Sequence, residues 1–348
     1  MRRTQGGERA AIRPPVPEAR GAGIGTAHAK VILVGEHAAV YGAPAVALPV
    51  PALGCRVRAV RRDGADGPLA GFRFVDCPPG LPCGPPIPPP DQGQSPVPEG
   101  LRILTEAVLR LTTQRTQSVD VRVENGVPFG RGLGSSAACA RALVNALDDL
   151  FGLDLSADAV FRYVQLSENA VHGAASGIDA WATGSSRPVL LANGQISSPP
   201  VGADSWIVVA DSGTVSSTKD AVSMLREDFT HTPSRRTDFL DRSTRLTRQA
   251  LLDLEAGRLQ RLGRGLTNCH ELLAGMKLTT DRTDRLVQEA LEAGALGAKM
   301  SGGGLGGCVI ALAPTAGAAD LLAARLTTGQ GVRCWTAPLT RGEHHARH

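Results

Sequence analysis

The sequence predicts an α+β fold, and from residue 206 onwards it predicts helices on one face of an antiparallel sheet. Apolar runs of strand length occur in separated pairs, with longer helical patterns between them. The 348 residues suffice for one large or two medium domains, each able to bury its own core. Ser, Pro and Gly cluster at 195–204, and we expect a domain boundary there, near residue 200.

Three segments near the start of the sequence define the expected N-terminal domain. Residues 1–24 are rich in Arg, Gly and Pro and predict a disordered leader. A strand is expected at Ala29–Val34, followed by a turn through Gly35, Glu36 and His37. Residues 78–98 hold ten prolines in 21 positions, so we expect a surface loop within the N-terminal domain, which spans 25–200.

The remaining elements follow from hydrophobic periodicity. In the N-terminal domain we expect helices at 100–111, from the glycine run to 151, and at 156–171, with strands at 119–124 and 188–192. In the C-terminal domain, 201–340, we expect helices at 216–227, 236–256, 258–275, 281–293 and 316–327, with strands at 206–210, 298–300, 308–312 and 332–336. Residues 341–348 are a tail.

Composition excludes several classes of function. The formal net charge is only +4, and no basic block is dense enough to indicate nucleic acid or a membrane surface. The seven cysteines are scattered without a C-x-x-C pair, which favours reduced thiols and a cytoplasmic location. No run of 18 apolar residues and no signal-peptide core occurs.

The most informative stretch lies between a predicted strand and a predicted helix. Its residues are Gly130, Arg131, Gly132, Leu133, Gly134, Ser135 and Ser136. A strand, a glycine loop and a helix N-terminus together present free backbone N–H groups to an anion. Glycines let the backbone approach a phosphate, and the two serine hydroxyls can cap the helix or reach a phosphate-bound metal.

Two other interpretations apply to this loop. It could be a structural turn, since glycine-rich turns ahead of helices are common. It also matches the loose G-x-G-x-x-A dinucleotide pattern, but the acidic residue expected about 20 residues later falls at the end of a helix, Asp154. No G-x-x-x-x-G-K-[ST] sequence occurs, which excludes a Walker-type loop.

A second glycine run separates two predicted strands of the C-terminal domain. Its glycines are Gly302, Gly303, Gly304, Gly306 and Gly307. Five glycines are costly in conformational entropy, so a structural requirement is expected. Either the run is a tight β-turn, or its backbone packs closely against a nucleotide or the first loop. It opens a strand rather than a helix, which again argues against a dehydrogenase.

Three charged residues complete the candidate site. Glu168 lies near the end of a predicted helix and Asp179 follows a Ser-Gly turn, so the two could divide metal binding and proton acceptance. Lys30 is one of only four lysines and heads an apolar strand. The alternatives are a solvated Glu168, an Asp179 that caps a helix, and a Lys30 that reaches solvent at a strand edge.

Together these segments resemble the GHMP kinase superfamily, which includes galactokinase and the homoserine, mevalonate and phosphomevalonate kinases. Residues 30–42, KVILVGEHAAVYG, and 172–179, HGAASGID, are most similar to the corresponding motifs of mevalonate kinases. Residues 211–219, DSGTVSSTK, resemble the substrate-side loop of the family. The match runs over about 25–340 in consistent order, and each motif occurs once.

The resemblance implies a two-domain GHMP kinase fold, with an N-terminal domain like domain 2 of ribosomal protein S5 and a ferredoxin-like C-terminal domain. It implies an ATP-dependent kinase that phosphorylates the 5-hydroxyl of mevalonate to give 5-phosphomevalonate in isoprenoid precursor synthesis. Residues Gly130–Ser136 would hold the triphosphate, with Ser136 and Glu168 ligating Mg²⁺. Family members are often dimeric, so a homodimer stays open.

By the same resemblance, Asp179 would be the base or orient the hydroxyl, and Lys30 would neutralise charge near it. Glu36, His37 and Thr218 would line the mevalonate site together with Asp179. Phosphomevalonate kinase, homoserine kinase and a non-catalytic nucleotide-binding protein stay as alternatives. A protein that had lost its chemistry would be expected to lack Asp179, Glu168 or Lys30, and all three are present.

Overall fold

A computed structural model describes residues 21–62, 69–77, 97–112, 118–173, 175–328 and 332–341. Parts of three predicted segments lie outside the described residues. They are residues 1–20 of the leader predicted over 1–24, residues 78–96 of the proline-rich loop predicted over 78–98, and residues 342–348 of the tail. The described chain forms two sheets with helices packed on them, which confirms the predicted α+β class.

The first sheet has six strands in the described chain. They are β1 (Gly23–Val34), β2 (Ala45–Arg62), β3 (Leu69–Asp76), β4 (Ser118–Asn125), β5 (Val189–Ala192) and β6 (Gln195–Ser197). Their order is β3-β4-β2-β5-β6, and β1 pairs with β2. The strands β3 and β4 of this sheet are parallel. The segment between them contains a helix, and a crossover of that kind is what parallel neighbours need.

The described N-terminal half also contains four α-helices. They are α1 (Glu99–Leu109), α2 (Ser135–Phe151), α3 (Ala157–His172) and α4 (Ile178–Ala182). Helix α2 lies against β1 so closely that a Cβ at Gly25 would stand 2.1 Å from the Ala142 carbonyl oxygen. The start of β1 therefore needs glycine, and this contact fixes the helix that follows the first glycine loop.

The second sheet is antiparallel, with strand order β10-β7-β9-β8. Its strands are β7 (Ser205–Asp211), β8 (Gly297–Ser301), β9 (Cys308–Ala313) and β10 (Arg333–Leu339). Helices α5 (Thr218–His231), α6 (Pro233–Glu255), α7 (Leu259–Gly275) and α8 (Asp281–Glu292) lie between β7 and β8, and α9 (Ala316–Thr327) between β9 and β10. Numbered along this half, the strand order is 4-1-3-2 with a β-α-β-β-α-β connection, as predicted for a ferredoxin-like unit.

Three strands of the first sheet, β2, β3 and β6, were not predicted. β2 contains Pro49, Pro51 and Gly54, which interrupt the alternating pattern. The β1–β2 ladder accommodates them by a register shift, since His28 pairs with Gly54 and the next residue of β1 pairs with Val50. β1 itself begins at Gly23, six residues before the predicted start and inside the last residues assigned to the leader.

β1 forms the edge of the first sheet next to the second half of the chain. Its outward N–H groups bond to three separate segments: His28 N to Thr183 O (3.1 Å), Lys30 N to Leu133 O (3.0 Å) and Ile32 N to Ser301 Oγ (2.8 Å). The Ser301 hydroxyl also donates to the Ile32 carbonyl at 3.0 Å. This edge, which would otherwise be unpaired, is thus covered from both halves of the chain.

The hydrophobic core does not divide between the halves. One cluster of buried residues includes Val31 and Leu143 from the first half and Ile207, Ile310 and Trp335 from the second. The first sheet ends at Ser197 and the second begins at Ser205. We propose residue 201 as the domain boundary, with the two domains sharing this core.

Candidate active site

The first glycine loop adopts the conformation that only glycine takes readily. Gly130, Gly132 and Gly134 have φ angles of 63°, 74° and 72°. Gly134 is the N-cap residue of α2 and makes no side-chain capping bond, so neither following serine caps the helix. The first N–H groups of α2 are therefore not bonded to an N-cap side chain, as an anion site at a helix N-terminus requires.

The second glycine loop packs against the first, backbone to backbone. A Cβ at Gly302 would lie 2.6 Å from the Cα of Gly132. A Cβ at Gly303 would lie 2.0 Å from Thr218 Oγ1, at the start of α5. The contacts of this loop therefore extend beyond a simple turn between β8 and β9. They explain its glycines, since any side chain at these positions would separate the two loops or displace Thr218.

Lys30 lies between the first glycine loop and Asp179. Its side chain is 5% exposed, and its Nζ is 3.0 Å from Asp179 Oδ2. A Cβ at Gly134 would contact the Lys30 Cε at 2.9 Å. The lysine is therefore a buried residue with its charge beside the loop, and it does not reach bulk solvent as an edge lysine would.

Asp179 is held at the surface of the site by the short helix α4. The N-cap of α4 is Gly177, with φ of 89° and no side-chain cap, so Asp179 does not serve as a cap. Stacking of Phe161 on Trp181, with centroids 5.1 Å apart, fixes α4 against α3. The Asp179 side chain is 36% exposed, which leaves a carboxylate both paired with a lysine and accessible to a second molecule.

Glu168 and Ser136 lie on two helices that pack together, α3 and α2. Glu168 is only 4% exposed, so the interpretation of a solvated helix residue does not fit. Ser136 is partly exposed in the first turn of α2. A carboxylate and a hydroxyl are hard oxygen donors, and donors of this kind suit a divalent cation that also binds phosphates.

The turn after β1 is tied to the other half of the chain. Lys299, which is fully buried in β8, donates from Nζ to Glu36 Oε1 and, at 2.6 Å, to the Met300 carbonyl oxygen. The structure thus places Glu36 in a buried ion pair. Sequence reasoning missed Lys299, although a charged residue within the apolar run 298–300 was a signal.

His37 is buried in the same turn. Its φ angle is 58°, and its Nε2 has no hydrogen-bond partner among the described residues. A Cβ at Gly304 would lie 3.2 Å from that nitrogen. Burial, with a smaller contribution from the Lys299 charge, lowers the pKa of His37 to about 4. The imidazole is therefore neutral at physiological pH and offers one nitrogen lone pair and one N–H.

Together these residues place a glycine loop and an uncapped helix N-terminus next to a lysine–carboxylate pair. Lys30, Asp179 and the first glycine loop are in direct contact, while Thr218 and His37 contact the second loop. An electron-rich group bound at the loop would meet a positive charge at Lys30. A hydroxyl near Asp179 would meet a proton acceptor. This arrangement suits transfer of a phosphoryl group.

The two halves match family models for the N-terminal domain of GHMP kinases, over residues 102–186, and for the C-terminal domain of GHMP kinases, over residues 250–331. The chain belongs to the GHMP kinase family. Among curated proteins it is similar to the mevalonate kinase of Pyrococcus horikoshii, with 33% identity over 84% of this chain and 88% of the relative. The mevalonate kinase of Thermococcus sibiricus is 32% identical over 84% and 89% of the two chains.

Solved structures have the same fold. L. major mevalonate kinase in complex with R-mevalonate aligns with a TM-score of 0.74 and 24% identity, covering 93% of this chain and 98% of that one. Lactococcus lactis galactokinase complexed with galactose aligns with a TM-score of 0.70 and 19% identity, over 93% and 95% of the chains. Within the described residues, no helix combines the length and hydrophobicity needed to cross a bilayer.

Proposed function

We propose that this protein transfers the γ-phosphoryl group of ATP to the 5-hydroxyl of mevalonate, giving 5-phosphomevalonate and ADP for isoprenoid precursor synthesis. The observation that carries the proposal is the Lys30–Asp179 pair, 3.0 Å apart, directly against the first glycine loop. The relatives named mevalonate kinase, at 31–33% identity over 84% of the chain, support mevalonate as the acceptor.

The first glycine loop would bind the triphosphate. The positive φ angles of Gly130, Gly132 and Gly134 and the uncapped start of α2 support this proposal, since a helix N-terminus without a side-chain cap can offer its N–H groups to an anion. Phosphoryl transfer has a loose transition state with charge spread over the transferred oxygens. Fixed N–H dipoles and the buried Lys30 ammonium would stabilise that charge, where water screens it least.

Asp179 would accept the proton of the acceptor hydroxyl. The hydroxyl oxygen forms a bond to the γ-phosphorus, the bond from that phosphorus to the bridging oxygen breaks, and the proton passes to the carboxylate. Lys30, paired with the same carboxylate, fixes its orientation before the acceptor arrives. The partial exposure of Asp179 provides the access that this step needs.

We also propose that Ser136 and Glu168 hold Mg²⁺ with the phosphates. The fit rests on their oxygen donors and on the buried position of Glu168. Mg²⁺ would neutralise phosphate charge as a Lewis acid. Thr218, Glu36 and His37 would form the acceptor side, with Thr218 and His37 placed by their contacts with Gly303 and Gly304.

An ADP-release assay with four acceptors tests the proposal: mevalonate, phosphomevalonate, homoserine and galactose. We expect mevalonate to give the highest kcat/KM by at least tenfold, and the Asp179→Asn variant to serve as the blank. A preference for another acceptor would support kinase activity but contradict mevalonate as the substrate. ATP binding without turnover of any acceptor would favour a non-catalytic nucleotide-binding protein.

A further inference from the structure

Arg131, in the middle of the first glycine loop, extends its side chain to the second half of the chain. Its Nε is 2.9 Å from Oδ1 of Asp211, whose side chain is 2% exposed at the end of β7. The Nε and Nη1 atoms of Arg131 are buried and form no hydrogen bond among the described residues, so the contact with Asp211 is an ion pair. A charged side chain of the loop is therefore held by a buried carboxylate 80 positions away.

Asp211 binds a second arginine through its other oxygen. Arg333 in β10 donates from Nη2 to Asp211 Oδ2 at 2.8 Å, and the backbone N–H of Gly213 donates to Oδ1 at 3.0 Å. The Arg333 side chain is about half exposed, whereas that of Arg131 is mostly buried. One carboxylate thus has a buried contact towards the glycine loop and an exposed contact towards solvent.

Backbone contacts support the same connection. The Ser216 N–H, in the loop after β7, donates to the Gly130 carbonyl at 2.7 Å. A Cβ at Gly307 would lie 3.0 Å from the Arg131 carbonyl oxygen. Gly130 and Arg131, which start the first loop, therefore contact the loops that follow β7 and β8.

We propose that Asp211 is a positioning residue for nucleotide binding. Through Arg131 it holds the first glycine loop in the conformation that receives the phosphates. A loop with three glycines has much backbone freedom to lose on binding, and an anchored loop has lost part of it beforehand. This inference rests on the proposed function, since it requires that the loop binds the phosphates of ATP.

The test combines Asp211→Asn, Arg131→Gln and the double variant with titration calorimetry of MgATP in the absence of acceptor. We expect each single variant to weaken MgATP binding about tenfold, and the double variant to be no weaker than either one. In turnover, KM for MgATP should rise by the same factor, while kcat stays within about threefold. Additive effects in the double variant would contradict action through Arg131.

Arg333→Gln is the matched control, because it removes the exposed contact of the same carboxylate. We expect its MgATP affinity to stay within twofold of the wild type. An equal loss of affinity in Arg333→Gln and Asp211→Asn would mean that Asp211 only stabilises the fold. If Asp211→Asn does not fold, Arg131→Gln compared with Arg333→Gln decides the same question. Wild-type protein that does not bind MgATP would overturn the proposed function itself, which separates the two failures.

Discussion

Two lysine–carboxylate pairs, each with one member between residues 30 and 36, differ in access to solvent. Lys30 pairs with Asp179, whose side chain is 36% exposed. Lys299 pairs with Glu36, and these side chains are 0% and 2% exposed. The same two chemical groups thus form one pair whose carboxylate a second molecule can reach and one pair that is closed to solvent and joins the turn after β1 to β8.

The buried pair stabilises the fold only if its attraction outweighs the cost of burying two charges. Two charges lose their hydration when they are buried, and their attraction compensates for this only with good geometry and further hydrogen bonds. Lys299 meets the condition through its second bond, to the Met300 carbonyl oxygen. Removing one partner would leave the other charge buried and unpaired.

The largest effect is expected at the accessible pair. Asp179→Asn keeps the size but removes the charge and the proton acceptor, so kcat should fall by about 10³-fold, equivalent to about 4 kcal/mol. KM for MgATP should stay within a few-fold, because the carboxylate acts mainly in the transition state. Steady-state kinetics measure both, with the surface variant Asp204→Asn as the control. Near-normal turnover would remove Asp179 from the mechanism.

The next effect is expected at the buried pair. Lys299→Met should lower the free energy of unfolding by about 3 kcal/mol or more, because Glu36 is left as an uncompensated buried charge. Urea denaturation measures this, and the double variant with Glu36→Gln should recover part of the loss. Lys277→Met, at an exposed lysine, is the control and should change little. Equal stability of the two lysine variants would show that the pair contributes nothing.

Glu168 sharpens the comparison, since it is as buried as Glu36 but is proposed to act on the nucleotide's metal. Glu168→Gln should reduce kcat by about 10²-fold, equivalent to about 2.7 kcal/mol. The loss should depend on the Mg²⁺ concentration, which a purely structural carboxylate would not cause. Unchanged kinetics over a Mg²⁺ titration would place the metal elsewhere.

The smallest effect concerns pH and the histidine beside the buried pair. Burial lowers the pKa of His37 from 6.5 to about 4, so between these values the unfolded chain binds more protons than the folded one. Stability is therefore lost as the pH falls through this window, by about 2 kcal/mol from pH 7 to pH 5.

The His37→Asn variant should lose less stability than the wild type over that range, since asparagine also tolerates the positive φ. His28 and His270, whose pKa values are also lowered, mainly by burial, remain in both proteins and cancel in the difference. Thermal unfolding of both proteins at several pH values measures this difference in stability loss. Parallel curves for the two proteins would mean that His37 titrates normally.

Features carried by neighbouring residues could be predicted from the sequence. The strands expected at 119–124 and 308–312 are Ser118–Asn125 and Cys308–Ala313, because continuous or alternating apolar runs are visible locally. Strand β2 could not be recognised, because Pro49, Pro51 and Gly54 interrupt its pattern and its pairing with β1, β4 and β5 joins residues far apart in sequence.

The same division holds for the candidate site. The first glycine loop, Lys30, Glu168 and Asp179 belong to short motifs, and the sequence predicted them as candidates. Their roles stay predictions. The contact of Lys299 with Glu36 joins residues 263 positions apart, and no spacing rule indicates such a pair. The link between Arg131 and Asp211 likewise depends on how the two sheets meet.

The covered edge of β1 has a consequence for how the chain is made. Ile32 leaves the ribosome 269 residues before Ser301, the residue that bonds to both of its backbone groups. At translation rates of about 5–20 residues per second, this interval lasts roughly 15–50 s. During that time the part of the β1 edge at Ile32 lacks its partner and is an open template for strands of other chains. Nascent chains of this protein therefore pass through a period of aggregation risk that ends only when β8 is complete.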